Sequence, residues 1–258
     1  MDRALHIADG FSGTSFAVSA PRRAEVPPAD LDELTAILSR LALRFDAVEP
    51  LYVERSDPAS FRIARRLLEA SRHLDYMVGA MVDVFAGGGL TGDASVRDRF
   101  MADTLLEHLD RAPRDKVVVV AHNNHVQKTP VVFGGELAAY PLGHYLHEAL
   151  GADYRAIALT HTADRVPEMD VGAGELGFTL VDTEVAPPSA GSVERYLVDL
   201  GLGDQVTLTS LRATAAEGAR NGFSRIRAQS EEQELAVAEA FDGVLSVPSV
   251  TESFETHL

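Results

Sequence analysis

The stretch KVVVVAHNNHVQKTP, Lys116 to Pro130, decides the fold class that the sequence predicts. Four consecutive valines are typical of a strand that is covered on both faces in a parallel sheet. After this run, predicted strands (YRAIALT, GFTLVDTEV, QVTLTSL, GVLSV) alternate with helices predicted for Pro141 to Leu150, after Ser192, and for Glu231 to Phe241. The alternation predicts an α/β core over residues 113–258, with a mostly parallel sheet and flanking helices.

The chain before the valine run has helical patterning. Asp30 and Asp57, the latter followed by Pro58, are typical helix N-caps, and apolar residues then recur at helical spacing. Ser95 and Asp98 have the spacing of a capping box at the start of a third helix. We therefore expect a helical subdomain over residues 30–112 that borders the pocket. Residues 1–29 form an N-terminal segment in which one short strand is expected.

Composition excludes several classes of function. The chain has no cysteine, so disulfides, thiolate nucleophiles and zinc–sulfur sites are excluded. Its formal net charge of −16 repels phosphate backbones, so we expect no nucleic-acid partner. No apolar run is long enough to span a bilayer and no signal peptide is recognisable, so a cytoplasmic protein without a membrane partner is expected.

The polar residues after the valines are the main candidates for chemistry. Ligands bind beyond the carboxyl ends of parallel strands, which is where His122 and His125 are expected to lie. A neutral imidazole can accept a proton from water, so either histidine suits a general base. Asn123 and Asn124 can orient a ring or donate to an oxyanion. Lys128 is a further candidate for substrate binding on the same loop.

Two other readings of this loop stay open. In one, the polar side chains only cap a strand and satisfy backbone groups of the loop. In the other, the two histidines share a metal ion, which needs at least one further ligand. Glu136, His161, Asp164 and Glu168 are available, but none has a diagnostic spacing, so no metal or cofactor is predicted. His161 follows another predicted strand, in ALTHTAD, and is a candidate pocket residue.

Three segments together resemble the erythromycin esterase family: SVRDRFMADTLLEHL, KVVVVAHNNHVQKTP and PLGHYLHEALGADYRAIALTHTAD. APPSAGSVERYL and FDGVLSVPSVTES follow in the order expected for the family, so the resemblance runs from about His6 to Val250. It implies hydrolysis of a macrolide lactone, and hence macrolide resistance, with histidine and glutamate side chains serving an activated water. It places His122 and His125 in the active site, and Arg97 and Asp98 in a motif that acts in the site or supports it.

One family feature is not found. Members of the family are longer and carry a Gly-Glu-x-x-His type motif in their N-terminal part, and no such motif occurs between Met1 and Pro113. The chain therefore resembles the C-terminal portion of a member. Three functions follow as alternatives: a hydrolase of a macrolide lactone or related ester, a catalytically incomplete protein that binds without turnover, and a metal-dependent hydrolase of another ester. Self-association through an exposed sheet edge is a further expectation.

Overall fold

A computed structural model describes residues 2–12, 15–133, 135–172, 174, 177–211 and 222–251. The chain divides into two compact units. A helical unit contains the described residues up to Phe100 together with those of the segment Gly172–Gly177. An α/β unit contains the described residues of Met101–Val171 and of the chain from Phe178 onwards.

The helical unit consists of helices and the loops that join them. Its helices are α1 (Asp2–Phe11), α2 (Phe16–Ala24), α3 (Pro28–Ala47), α4 (Glu49–Arg55), α5 (Pro58–Phe85) and the first turns of α6 (Ser95–Arg111). The strand expected within residues 1–29 is not present among the described residues of that segment, which form α1 and α2 instead. Asp57 caps α5 as predicted, because its Oδ1 accepts hydrogen bonds from the amides of Ala59 and Ser60 at 2.8 and 3.0 Å. Asp30, in contrast, lies in the first turn of α3, whose N-cap is Pro27.

A buried ion pair ties three helices of this unit together. The guanidinium of Arg23 on α2 lies 2.8 Å from the carboxylate of Asp75 on α5, and both side chains are buried. The hydroxyl of Thr35 on α3 donates to the second oxygen of Asp75 at 2.5 Å. Loss of one partner would leave an uncompensated buried charge, which costs about 3–5 kcal/mol. The pair therefore fixes how α2, α3 and α5 pack.

The α/β unit contains several small sheets and short helices. Its strands are β1 (Val131–Phe133), β2 (Glu136–Ala139), β3 (Ile157–His161), β4 (Arg165–Val171), β5 (Phe178–Glu184), β6 (Thr207–Ser210), β7 (Arg225–Ala228), β8 (Glu231–Glu234) and β9 (Gly243–Val247). Its helices, after the remainder of α6, are α7 (Asn123–Val126), α8 (Leu142–Leu150), α9 (Val193–Asp199) and α10 (Val237–Ala240). Apolar residues of β3, α9, β7, α10 and β9 form the largest core cluster of the unit.

The prediction of a mostly parallel sheet is wrong for the described residues. The three-stranded sheet has the order β3-β9-β6, in which β3 and β9 are parallel and β6 and β9 antiparallel. The pairs β1-β2, β4-β5 and β7-β8 are all antiparallel hairpins. The valine run Val117–Val120 belongs to none of these sheets and its side chains are exposed. A strand needs a neighbour to bond to, and the valine run has none among the described strands.

The helix predicted for Glu231 to Phe241 is also wrong. Its first residues form β8, which pairs with β7 from Ala228↔Glu231 to Arg225↔Glu234, and only Val237–Ala240 is helical. Cross-strand pairing has overridden the helical propensity of the glutamates. Within the described residues, no helix is long and apolar enough to cross a membrane.

Gly143 permits a close approach between α8 and the end of α7. A Cβ atom on this residue would lie 2.2 Å from the carbonyl oxygen of Val126 and 2.5 Å from that of Gln127. Because these contacts are with backbone, Gly143→Ala must displace one of the two helices. We expect a loss of about 1–3 kcal/mol in the free energy of unfolding, measured by urea denaturation.

Gly10→Ala in α1 is the matched control, because a Cβ atom there meets nothing within 4 Å. This change is expected to be neutral, or to stabilise the chain by up to about 1 kcal/mol through higher helix propensity. Equal effects of the two substitutions would contradict the close approach at Gly143.

Candidate functional site

His122 lies at the start of α7, where it is the N-cap residue. Its Nδ1 accepts a hydrogen bond from the backbone amide of Asn124 at 3.2 Å. A ring nitrogen that accepts a hydrogen bond carries no proton, so the proton of the neutral ring is assigned to Nε2. In this arrangement the neutral side chain offers an N–H donor at Nε2.

Asn123 anchors the loop to the sheet. Its side-chain amide accepts from the backbone N–H of Leu159 at 2.9 Å and donates to the carbonyl of the same residue at 2.8 Å. The side chain thus takes the place of a neighbouring strand at this point of β3. Asn123 is buried, and its two hydrogen bonds hold the loop of His122 against β3, the outer strand of the sheet.

A cavity of about 950 Å³ opens beside this loop, within the α/β unit. It is bounded by the loop, by β1, by β4 and by the hairpin formed by β7 and β8. The described residues that line it are His122, Asn124, Gln127, Thr129–Phe133, Gly135, Glu168, Ala228–Ala236 and Glu239. Asn124 contacts the opposite wall, because its Oδ1 accepts from Nε2 of Gln233 at 2.6 Å. A volume of this size accommodates a drug-sized ligand.

The turn of the β7–β8 hairpin is held from two sides. Glu168 on β4 accepts a hydrogen bond from the amide of Ser230 at 2.6 Å. The Nε2 atom of His161 on β3 lies 2.8 Å from the carbonyl oxygen of Gln229 and donates to it. Gln229 has a φ of 59°, which is uncommon for a residue other than glycine. Such a conformation persists where its surroundings enforce it, and these two bonds do so.

Glu194 also supports the β7–β8 hairpin, through a hydrogen bond to the backbone of β7. It is fully buried, and its Oε1 accepts from the hydroxyl of Thr160 on β3 and from the amide of Arg227 on β7 at 3.0 Å. Arg227 is also buried, and its guanidinium donates to the carbonyl of Ala163 at 3.2 Å and to that of Ala186. Burial lowers the pKa of Arg227, and the carboxylates of Glu194 and Glu232 oppose this shift. These contacts join β3, α9 and β7.

The cavity is strongly acidic. Its described lining contains five glutamates, at positions 168, 231, 232, 234 and 239, and no lysine or arginine. Arg225 partly compensates this charge, since it contacts Glu234 and lies 3.8 Å from Glu232. His122 is exposed to solvent on one side, but the protein atoms around its ring remove part of its hydration and lower its pKa; the nearby His125 lowers the pKa further, and Glu168 raises it. The neutral form of His122 therefore predominates at neutral pH.

The structure does not bring all the predicted site residues together. His122 and Asn124 line the cavity, whereas Asn123, His125, Lys128 and His161 are not among its described lining residues. His125 is half-buried on α7, and Lys128 pairs at 3.3 Å with Asp242, so the geometry gives no support to substrate binding by Lys128. His161 is buried behind the hairpin turn.

Arg97 and Asp98 both lie in the first turn of α6, in the helical unit. Arg97 is exposed and Asp98 is buried. Among the described residues, no group of three or more histidine, aspartate or glutamate side chains is arranged to hold a metal ion.

Sequence reasoning missed most of the glutamates that line the cavity. From sequence, Glu168 is only an available metal ligand, and a helix is predicted for the glutamates of β8. The alternation of apolar and charged residues in RIRA, Arg225 to Ala228, is the signal that favours a strand before them.

Comparisons with known proteins agree on one family. The family model for erythromycin esterase matches residues 17–250. The chain is 33% identical to erythromycin esterase type I of Escherichia coli over 251 residues, which are 96% of this chain and 60% of that protein. It is 30% identical to type II from the same organism over 252 residues, 96% of this chain and 59% of that protein. The chain thus spans about 60% of the length of these curated relatives.

Solved structures give the same result for the fold. A mutant of the erythromycin esterase EreC in its open conformation matches with a TM-score of 0.90 and 32% identity, over 100% of this chain and 62% of that chain. A succinoglycan biosynthesis protein matches with a TM-score of 0.62 over 95% of this chain and 56% of its own, at 16% identity. The second match shows similarity of fold alone.

The electrostatic environment of His122 predicts how its pKa responds to two substitutions. His125→Gln removes the electrostatic repulsion that His125 exerts on a protonated His122 and should raise the pKa of His122, whereas Glu168→Gln removes a neighbouring anion and should lower it. Titration of the histidine rings by ¹H–¹⁵N NMR measures both shifts, and the same spectra show which ring nitrogen carries the proton. Protonation at Nδ1 of the neutral ring, or shifts in the opposite directions, would contradict the geometry described for His122.

Proposed function

Because the chain belongs to the erythromycin esterase family, we propose that the cavity beside His122 binds an ester and that water attacks the ester carbonyl there. The proposed substrate class is a macrolide lactone or a related ester, as the names of the curated relatives indicate. The observation that carries the proposal is His122 itself, a histidine at the start of α7 that lines a cavity of about 950 Å³. A macrolide is a large ring, and a cavity of this size suits it.

A histidine general base is the first mechanism to consider. In this mechanism His122 or His125 accepts a proton from the attacking water. Of the two, His122 lines the cavity, and its lowered pKa keeps the ring neutral and able to accept a proton at neutral pH. The base must present an unprotonated Nε2 to the water, so its proton must be on Nδ1. The hydrogen bond from the amide of Asn124 to Nδ1 opposes that tautomer.

That hydrogen bond favours a second assignment within the same reaction. With its proton on Nε2, His122 donates a hydrogen bond to the ester carbonyl and stabilises the oxyanion that forms when water attacks. A carboxylate of the cavity accepts the proton of the water as it attacks. When the oxyanion collapses, the ester C–O bond breaks and the carboxylic acid returns the proton to the leaving alkoxide. Glu168 is the candidate, because it lines the same cavity and is close enough to His122 to raise its pKa.

The acidity of the cavity suggests a feature of the substrate. The described lining of the cavity contains five glutamates and no lysine or arginine. A protonated amine on the ligand would offset the mutual repulsion of these carboxylates. We therefore propose that the preferred ester carries an amine.

Hydrolysis is tested by mass spectrometry of erythromycin incubated with the purified chain, where a product heavier by one water is expected. His122→Ala and His125→Ala show whether each histidine is needed. Binding of erythromycin without product, by folded protein, would support the alternative of an incomplete site. Loss of turnover with a chelator would support the metal-dependent alternative.

The two assignments of His122 predict different outcomes for two further variants. Glutamine places an amide N–H near the position of Nε2, whereas asparagine places an acceptor near Nδ1 and has no donor at Nε2. If His122 is the donor, His122→Gln retains at least about tenfold more kcat/KM than His122→Asn, since one such donor is worth about 10²–10³ in rate. Equal loss in both variants, with loss of the acidic limb of the pH–rate profile, would instead identify His122 as the base.

The amine is tested separately by comparing erythromycin with an analogue in which the amine is replaced by a neutral group. We expect a KM or Kd for the neutral analogue that is higher by about tenfold, because one charge interaction of about 1.4 kcal/mol is lost. Glu239→Gln should reduce the difference. Equal affinity for the two ligands would rule out charge recognition in the cavity.

A further inference from the structure

One hydrogen bond crosses the cavity and joins the loop of His122 to the β7–β8 hairpin. Nε2 of Gln233 on β8 donates to Oδ1 of Asn124 on α7 at 2.6 Å, and the two residues are 109 positions apart in the chain. Both side chains are half-buried, and neither has another hydrogen-bond partner among the described residues. The orientation of Asn124 is therefore linked to the position of Gln233.

Gln233 lies on a strand that is held by contacts outside the loop of His122. It is the register partner of Ile226 on β7, which is fully buried in the core cluster of the α/β unit. The preceding residue, Glu232, accepts hydrogen bonds from the amide of Ser189 at 2.8 Å and from its hydroxyl. Gln233 therefore presents its side-chain amide from a position that does not depend on the loop that it contacts.

Asn124, in contrast, lies on a very short helix. The helix α7 has only four residues, Asn123–Val126, and one turn of this length has little stability of its own. The first amides of a helix have no carbonyl partner within it, and the amide of Asn124 donates instead to Nδ1 of His122 at 3.2 Å. This distance is at the long end of the range for N–H donors, so a small rotation of Asn124 is enough to break the bond.

Asn124 thus makes both bonds, one with its side chain and one with its backbone. The side chain accepts from Gln233 and the backbone amide donates to His122. Among the described residues, this amide is the one hydrogen-bond partner of the His122 ring, and it distinguishes the two nitrogens of the neutral ring. The bond across the cavity therefore restrains the residue whose amide selects the tautomer.

We propose that Gln233 is a positioning residue for His122. By holding the side chain of Asn124, it keeps the amide of Asn124 directed at Nδ1 and so keeps the proton of the neutral imidazole on Nε2. The tautomer follows from the geometry alone. Its consequence for turnover rests on the proposed function, in which a proton on Nε2 makes His122 a donor to the ester carbonyl.

The tautomer is measured by two-bond ¹H–¹⁵N NMR of the histidine rings in the full 258-residue chain, at a pH where His122 is neutral. Gln233→Met keeps the length of the side chain but removes its donor. We expect the fraction of His122 that carries its proton on Nδ1 to rise by about two- to tenfold, which corresponds to the loss of one neutral hydrogen bond. An unchanged fraction would overturn the proposal.

Gln205→Met is the matched control. Gln205 is exposed, and its side chain has no hydrogen-bond partner among the described residues, so this substitution should leave the tautomer of His122 unchanged. Equal shifts in the Gln233 and Gln205 variants would also overturn the proposal, because the shift would then not depend on the bond across the cavity.

A double-mutant cycle shows whether Gln233 acts through Asn124. Asn124→Ala removes the side-chain acceptor and leaves the backbone amide in place, so it should shift the tautomer about as far as Gln233→Met does. The two substitutions together should shift it no further than either one alone. Additive shifts would show that Gln233 acts on the ring by another route, and would contradict a role through Asn124.

Turnover gives a second readout that can be separated from the first. With His122 as the donor, Gln233→Met should lower kcat in proportion to the lost fraction of rings protonated on Nε2, while KM changes by less than about twofold. A loss confined to KM would show that Gln233 binds the ligand and does not position His122. If the unsubstituted chain hydrolyses no ester, the proposed function fails, and the NMR measurement still decides the role of Gln233 because it needs no substrate.

Discussion

The two hydrogen bonds between the amide of Asn123 and the backbone of Leu159 determine where the candidate site lies. They join the loop after the valine run to the outer edge of β3, at the point where a neighbouring strand would otherwise bond. Three further features of the loop lie next to this anchor. His122 becomes the N-cap of α7, Asn124 reaches Gln233 across the cavity, and Gly143 of α8 packs against the end of α7. A buried amide whose donor and acceptor are both hydrogen-bonded stabilises the fold and also allows only one position of the loop.

The β7–β8 hairpin, which lies across the cavity from the loop of His122, depends on a different kind of constraint. The β7–β8 hairpin carries glutamates that repel one another, and its turn includes a residue with positive φ. Both features cost free energy, and the hairpin is retained through contacts made by its backbone. Glu194 accepts from the amide of Arg227, and Glu168 accepts from the amide of Ser230. The carboxylates of Glu194 and Glu168 thus hold the hairpin that carries the glutamates of β8. The acidity of the cavity therefore depends on the same contacts that maintain the fold.

The sequence predicts those parts of the fold that local signals determine. Asp57 and Ser192 act as caps as expected, and β3, β5, β6 and β9 occur where runs of β-branched residues predict strands. The sequence also predicts the loop of His122 as a candidate site, because polar residues directly after an apolar run are a local pattern. The glutamates that line the cavity are not predicted as site residues, since Glu168 and the glutamates of β8 approach His122 only through strand pairing. Such contacts join residues far apart in the chain, and no single stretch encodes them.

The valine run is a second feature that local sequence signals do not predict correctly. Four valines have the highest intrinsic preference for a strand in this chain, yet the segment is not part of any described sheet. A strand is stable only when a neighbour accepts its backbone hydrogen bonds, so propensity without a partner leaves an extended, exposed segment. This segment ends two residues before His122, and Asn123 ties the start of the loop to β3. Pairing of the valines with another strand would therefore restrain the loop from its N-terminal side. Because only Ala121, His122 and Asn123 connect the valine run to the bonds with Leu159, such pairing would also hold His122 more firmly in position.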